Sequence, residues 1–214
     1  MKNAATTLLT ELEHDALTEL VNLGISQAAL SLARMVREEV ILSVPKVSLV
    51  GRDEAIRILG DRESKDLVAI HQVFEGDING RALLIFPEAR SLELVRAVIG
   101  RDLSIEEIIE LEHEALAETG NVILNGCLAT IANLLERSLK ISLPEVLRGR
   151  SVELFSLRPP PEAGDTVMFI YINFAFRHRN IDGYIAMLMD MPSLAAMKVL
   201  LGDFIRRTTG MSAG

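Results

Sequence analysis

The sequence contains the same twelve-residue segment twice, and this repeat limits the folds available to the chain. ELEHDALTELVN begins at Glu11, ELEHEALAETGN begins at Glu110, and the two agree at eight of twelve positions. With the same offset of 99 residues and no gap, Asn22 aligns with Asn121. Shared composition alone would not keep this register, so the chain is predicted to be an internal duplication.

Each half is predicted to fold as a helix, several strands and a shorter helix. Residues 11 to about 38 and 106 to about 139 have the apolar periodicity of long amphipathic helices, and Ser104 with Glu107 resembles a capping box. Strand-forming runs follow each helix, among them SVELFSL at 151–157. The closing helix of the second half is expected to end at Gly202.

These elements predict an α+β protein. Because the strands follow one another through short turns, we expect an antiparallel sheet packed by the long helices. The two halves are expected to share this sheet with pseudo-two-fold symmetry. Residues 1–214 would then form a single domain of two repeats, about 10–100 and about 106–205.

Composition narrows the classes of function. The formal net charge of -8 argues against a nucleic-acid binder, which needs a basic face. The one cysteine excludes an internal disulfide framework. No apolar run reaches the ~20 residues of a membrane span, so we expect no membrane insertion and a cytoplasmic location.

The repeated segment places a polar stripe on each long helix. Asp15, Glu19 and Asn22 stand at i, i+4 and i+7, and therefore on one side of the first helix. A carboxamide does not titrate near neutral pH, so a glutamate with an asparagine is not an acid/base pair. The sequence also contains no GxSxG, GxxxxGK[ST] or CxxC motif. The stripe resembles half of an active site that another protein completes.

A single E-x-x-N pattern is usually a solvated helix face, and only its repetition favours a function. Asp15-x3-Glu19-x2-Asn22 followed by Pro45 resembles the signature of the CheC/CheX/FliY family of chemotaxis phosphatases. Glu118-x2-Asn121 followed by Pro144 repeats the signature at the same spacing.

The second copy begins at Glu114, where the family has aspartate or serine. The extra methylene could make the second site weaker, or merely different, and sequence does not rank the two. Asp15 and Glu114 are also ordinary acids for the first turns of a helix. The two prolines are expected to be structural, setting the exit of the chain from each long helix.

The resemblance implies an enzyme that hydrolyses the aspartyl phosphate of the response regulator CheY. The regulator would supply the phosphoryl group and its Mg²⁺, and the chain would need no cofactor or metal of its own. Asn22 and Asn121 would orient the attacking water, while Glu19 and Glu118 would pair with the regulator's lysine. The receptor deamidase CheD is a further partner that the resemblance implies.

Two alternatives remain open at this level. The protein could be an adaptor that binds phosphorylated CheY or regulates CheD with little hydrolysis. It could also be a flagellar switch component, although no additional C-terminal domain is visible after residue 205.

Overall fold

The computed structural model describes residues 9–37, 39–63, 66–99, 104–156, 166–176 and 179–210, apart from the side chains of residues 44, 45, 174–176, 179 and 180. Six helices and seven strands lie within these ranges. In chain order they are α1 (Glu11–Val36), β1 (Val40–Gly51), α2 (Arg52–Arg62), β2 (Leu67–Gly76), β3 (Gly80–Pro87), α3 (Glu88–Ile99), α4 (Ile105–Leu134), β4 (Leu139–Ile141), β5 (Glu145–Gly149), α5 (Ser151–Phe155), β6 (Thr166–Phe176), β7 (Arg179–Met189) and α6 (Met191–Thr209).

The strands form one antiparallel sheet in the order β1-β6-β7-β3-β2, with β4 and β5 both pairing with β2 at the far edge. This confirms the α+β class and the sheet shared by both halves. The order is the same when read from either edge if β1 corresponds to β4–β5, β2 to β6 and β3 to β7. Each half therefore places its first strand beside the second strand of the other half.

Helices cover both faces of the sheet. On one face α1 and α4 pack against each other, with α3 beside α4 and α6 beside α1. Their apolar sides and that face of the sheet form the larger core, which includes Leu20, Leu116 and Ile123. On the other face, α2 and α5 cover a smaller core that includes Leu59 and Phe155.

Both long helices begin with a complete capping box. The Glu107 backbone N–H donates to Ser104 Oγ at 3.2 Å, and the Ser104 backbone N–H donates to Glu107 Oε2 at 2.7 Å. Thr10 and Glu13 make the same pair of hydrogen bonds at the start of α1. These bonds satisfy backbone donors that have no partner within the helix, which fixes where each helix starts.

Two glycines let α1 and α4 approach closely. A Cβ atom added at Gly24 would lie 3.1 Å from the Cys127 carbonyl oxygen, and one at Gly126 would lie 3.1 Å from Ala28 Cα. The closeness comes from the absent side chains, and it holds the two helices side by side on the sheet.

Some local predictions were wrong. SVELFSL, expected to be a strand, contains the short helix α5, and residues 157–165 lie outside the described residues. Helix α6 continues through Gly202 to Thr209 and is capped by Gly210, which has a φ of 66°.

Two helices, α1 and α4, are long and apolar enough by length and composition to cross a membrane. Core helices of water-soluble proteins pass the same test. In this fold the apolar sides of both helices pack against each other and against the sheet.

Candidate functional site

The polar stripes lie on the sides of α1 and α4 that face away from the core. We call Asp15, Glu19 and Asn22 site 1, and Glu114, Glu118 and Asn121 site 2. All four carboxylates are exposed, and both asparagines are half-buried. The apolar sides of the same helices, which include Leu20 and Leu116, are buried. The amphipathic pattern therefore places the polar stripes on the outer sides.

Site 1 has unengaged side chains. Within the described part of the chain, the carboxylates of Asp15 and Glu19 and the carboxamide of Asn22 make no hydrogen bond or ion pair. Each polar group is therefore available to another molecule. Because Asn22 is half-buried beside exposed Glu19, a partner could reach the amide and the acid together.

Site 2 has the same exposed acids, but its asparagine is held from below. Asn125 Nδ2 donates to Asn121 Oδ1 at 2.8 Å, and Gln72 Nε2 donates to the same oxygen at 3.2 Å. Gln72 Nε2 also lies 3.3 Å from Asn125 Oδ1 and 2.9 Å from the Ser142 carbonyl oxygen. Four residues thus form one hydrogen-bonded cluster beneath the surface of site 2.

Gln72 and Asn125 were missed by the reading of the sequence. Along β2 the core-facing positions are Val68, Ile70, Gln72 and Phe74, all fully or almost fully buried. The sequence could have indicated Gln72, because it is a polar residue in a row of apolar core-facing positions and a buried amide needs hydrogen-bond partners. Asn125 stands one helical turn after Asn121, and an asparagine at that spacing was the second signal.

The two motif prolines lie at the edges of the sheet rather than at the ends of the long helices: Pro45 lies within β1, and Pro144 lies between β4 and β5. Helix α1 ends at Val36 and α4 ends at Leu134, well before Pro45 and Pro144. The register of β1 shifts between Ser43 and Lys46, and the opposite edge strand is interrupted between β4 and β5. Proline lacks the N–H that a ladder needs, so it is tolerated at such edge irregularities.

The interruption at Pro144 redirects a backbone carbonyl. The Ser142 backbone N–H donates to the Val73 carbonyl oxygen at 2.9 Å, while the Val73 backbone N–H donates to Ser142 Oγ at 2.9 Å. The serine hydroxyl thereby replaces its own carbonyl as the acceptor in the ladder. The Ser142 carbonyl is left to accept from Gln72.

The structure gives no reason to add a metal centre or a reactive cysteine to either site among the described residues. The described residues contain no group of three or more His, Cys, Asp or Glu side chains placed to hold a metal ion. Cys127 is buried between α1 and α4, and burial raises the pKa of its thiol to about 12, so it stays protonated and unreactive near neutral pH. What the sites offer is an exposed carboxylate beside a carboxamide, on the surface, in two copies.

Comparisons with known proteins found relatives of similar sequence and fold. The family model described as chemotaxis phosphatase CheX matches residues 68–161. The CheY-P phosphatase CheC of Bacillus subtilis is 29% identical over 141 residues, covering 64% of this chain and 67% of that protein. The sequence is similar to members of the CheC/CheX/FliY family.

Proteins named FliY are also similar, one in sequence and one in fold. The flagellar motor switch phosphatase FliY of B. subtilis is 22% identical over 140 residues, a match that spans only 36% of FliY. The crystal structure of Thermotoga maritima FliY superposes with a TM-score of 0.72 at 16% identity, covering 92% of this chain and 98% of that one. The segment matched by the family model includes the whole cluster beneath site 2.

Proposed function

We propose that this protein hydrolyses the aspartyl phosphate of a CheY-type response regulator, using site 1 and site 2. The observation that carries the proposal is the doubled, outward-facing pair of a glutamate and an asparagine, at Glu19/Asn22 and Glu118/Asn121. The matching family model, described as chemotaxis phosphatase CheX, and the name of the Bacillus relative, a CheY-P phosphatase, agree with this reaction.

The asparagine is assigned to the water molecule. When the regulator docks, the carboxamide of Asn22 or Asn121 enters its phosphorylated site and holds a water in line with phosphorus. The water oxygen forms a bond to phosphorus while the bond between phosphorus and the aspartyl oxygen breaks. The products are inorganic phosphate and the free aspartate carboxylate. The regulator brings Mg²⁺, which neutralises charge on the phosphoryl oxygens.

The glutamate is assigned to docking. Glu19 and Glu118 are exposed, and Glu19 has no partner among the described residues, so either can accept a charge-assisted hydrogen bond from a lysine of the regulator. The net charge of -8 favours approach of a basic surface. Asp15 and Glu114 add charge one turn away, and we assign them a supporting role in docking.

The energetic demand on each site is modest. Holding one water in line removes part of the orientational entropy of the barrier, and an acceleration of about 10² to 10³ corresponds to ~3 to 4 kcal/mol. One amide and one ion pair, closed off from solvent by the interface, can supply this much.

The test is phosphate release from phosphorylated regulator in the presence of Mg²⁺. Asn22→Ala and Asn121→Ala should each remove one site and lower the rate, and the double variant should fall to the regulator's own rate of hydrolysis. Asn133→Ala, an exposed asparagine near the end of α4, is the matched control and should act like wild type. A double variant that still accelerates release would refute the assignment.

The same assay separates the adaptor alternative. An adaptor would bind the phosphorylated regulator with unchanged affinity after both asparagines are replaced and would not release phosphate in any variant. Binding to the deamidase CheD and a cytoplasmic location remain predictions from the sequence.

A further inference from the structure

The strand pairing gives each residue of β2 a counterpart in β6. Leu42 of β1 pairs with Phe174, and Ile141 of β4, which is Leu42 plus the repeat offset, pairs with Phe74. Phe74 therefore corresponds to Phe174. Strands β2 and β6 are related by an offset of one hundred residues rather than 99.

The residues that correspond to Gln72 and Asn125 in the other half have different side-chain chemistry. The counterpart of Gln72 is Ile172, and both side chains are fully buried. The counterpart of Asn125 on α1 is Ser26. The position that holds Gln72 in the cluster around Asn121 therefore holds an isoleucine in the other half, which can neither donate nor accept a hydrogen bond.

The Ser142 carbonyl determines which groups donate and which accept in the hydrogen bonds of the cluster. A backbone carbonyl can only accept, so the Gln72 group at 2.9 Å from it must be the Nε2 amide. The second proton of that amide then points at the side-chain oxygens of Asn121 and Asn125. With its oxygen turned to Gln72, Asn125 directs its own Nδ2 at Asn121 Oδ1.

Asn121 is left with one free end. Its Oδ1 accepts from two donors, which uses both lone pairs of the oxygen. Among the described residues, the buried side-chain nitrogen and oxygen atoms without a partner are His71 Nε2 and Gln72 Oε1, so Asn121 Nδ2 is not sealed in the interior. The end that Asn121 presents to a partner is its N–H₂ group.

We propose that Gln72 and Asn125 are positioning residues that fix Asn121 as a hydrogen-bond donor, and that sites 1 and 2 are chemically unequal. Site 2 offers a rigid N–H donor, suited to a phosphoryl or water oxygen. Site 1 offers a carboxamide that can rotate and present either end. The inference deepens the proposed phosphatase activity and rests on it for its catalytic part.

The anchor of this arrangement is the strand interruption at Pro144. The Ser142 carbonyl reaches Gln72 because the Ser142 hydroxyl has taken its place in the ladder. Replacing Ser142 by alanine removes that hydroxyl, and the carbonyl is then drawn back to the Val73 N–H. Ser142, two residues before the motif proline, is therefore linked to Asn121 through Gln72.

The orientation can be measured without any phosphatase assay, by ¹⁵N relaxation of the side-chain amides. We expect a high order parameter for Asn121 Nδ2, near the ~0.85 of rigid backbone, and a value below about 0.6 for Asn22. Gln72→Leu and Ser142→Ala should each lower the Asn121 value towards that of Asn22, while Ile172→Leu should change neither. Equal mobility of Asn22 and Asn121 in the wild-type protein would overturn the proposal.

The catalytic part is tested with one site at a time. In an Asn22→Ala background only site 2 remains, and Gln72→Leu should lower its kcat roughly fivefold with little change in KM, because an ordered amide becomes mobile. Ile172→Leu in the same background is the matched control and should leave kcat unchanged.

The outcomes distinguish the two levels of the argument. If Asn121→Ala abolishes the activity of site 2 but Gln72→Leu has no effect on its kcat, the positioning role is refuted and the phosphatase proposal stands. If no variant affects hydrolysis, the phosphatase proposal fails, and the relaxation measurement still decides whether Gln72 fixes Asn121.

Discussion

Replacing Gly120 by alanine should destabilise the protein although alanine is the better helix former. Gly120 directly precedes Asn121 in α4 and lies over β2. An added Cβ would come within 2.5 Å of Ile70 Cβ and 2.8 Å of Ile70 Cγ1, about 1 Å inside an ordinary carbon–carbon contact. Ile70 is fully buried and pairs with Leu84 and Val146, so it has little room to move.

The magnitude follows from two opposing terms. Overpacking of this kind costs about 1 to 3 kcal/mol, and an overlap with the branched part of a fixed side chain belongs at the upper end. The gain in helix propensity offsets ~1 kcal/mol. We expect a net loss of roughly 1 to 2 kcal/mol in the free energy of unfolding, or several degrees in Tm for a chain of this size.

Urea unfolding followed by circular dichroism measures this loss, since the chain has no tryptophan. Gly202→Ala is the matched control, because a Cβ there meets only Arg206 Nη1 at 3.5 Å, and it should stabilise α6 by up to ~1 kcal/mol. In an Ile70→Ala background the cost of Gly120→Ala should shrink or vanish. A loss of the same size in both backgrounds would show that contact with Ile70 is not the cause.

Two further predictions concern buried titratable groups. Cys127 should not react with a thiol reagent in the folded protein near pH 7, because burial raises its pKa to about 12, and labelling should follow unfolding; rapid labelling without denaturant would contradict this. Burial lowers the pKa of His71 below its ordinary 6.5, although Glu145 opposes the shift, so the unfolded chain binds this proton more tightly. The free energy of unfolding should therefore fall as pH drops through and below about 6.5, and His71→Leu should reduce that slope; an unchanged slope would remove His71 as its source.

The elements with strong periodicity were predictable from sequence. Both long helices and the capping box at Ser104 follow from apolar spacing and cap chemistry, and TVMFIYINFAF coincides with β6. These segments carry their signal locally, because burial on one face repeats along the segment itself.

The short helices depend on tertiary contacts. In α5, Leu154 and Phe155 are adjacent and both are buried in the smaller core, which a five-residue helix permits. Helix α2 buries Ala55 and Leu59 at helical spacing, but its charged residues resemble a loop. No local sequence pattern predicts that α2 and α5 cover the second face of the sheet.

The candidate site was predictable in part. Repetition selected Asn22 and Asn121, yet the inequality between them depends on Gln72, which donates a hydrogen bond to Asn121, and on Ile172, which the strand pairing identifies as its counterpart. The offset also changes from 99 on the helices to one hundred between β2 and β6, so an ungapped alignment of the halves pairs Gln72 with Tyr171 instead. The sheet register was needed to find the difference.

The crossed arrangement of the strands also bears on how the chain reaches its native state. Strand β1 pairs with β6, and Val40 at its start pairs with Phe176. Strand β1 therefore cannot form its hydrogen bonds until most of the polypeptide has been synthesised. Loop closure over such a span is slow, and a nascent amino-terminal half would leave the ribosome with unsatisfied strand edges. Acquisition of the native structure should therefore be largely post-translational, with site 1 and site 2 completed together near the end.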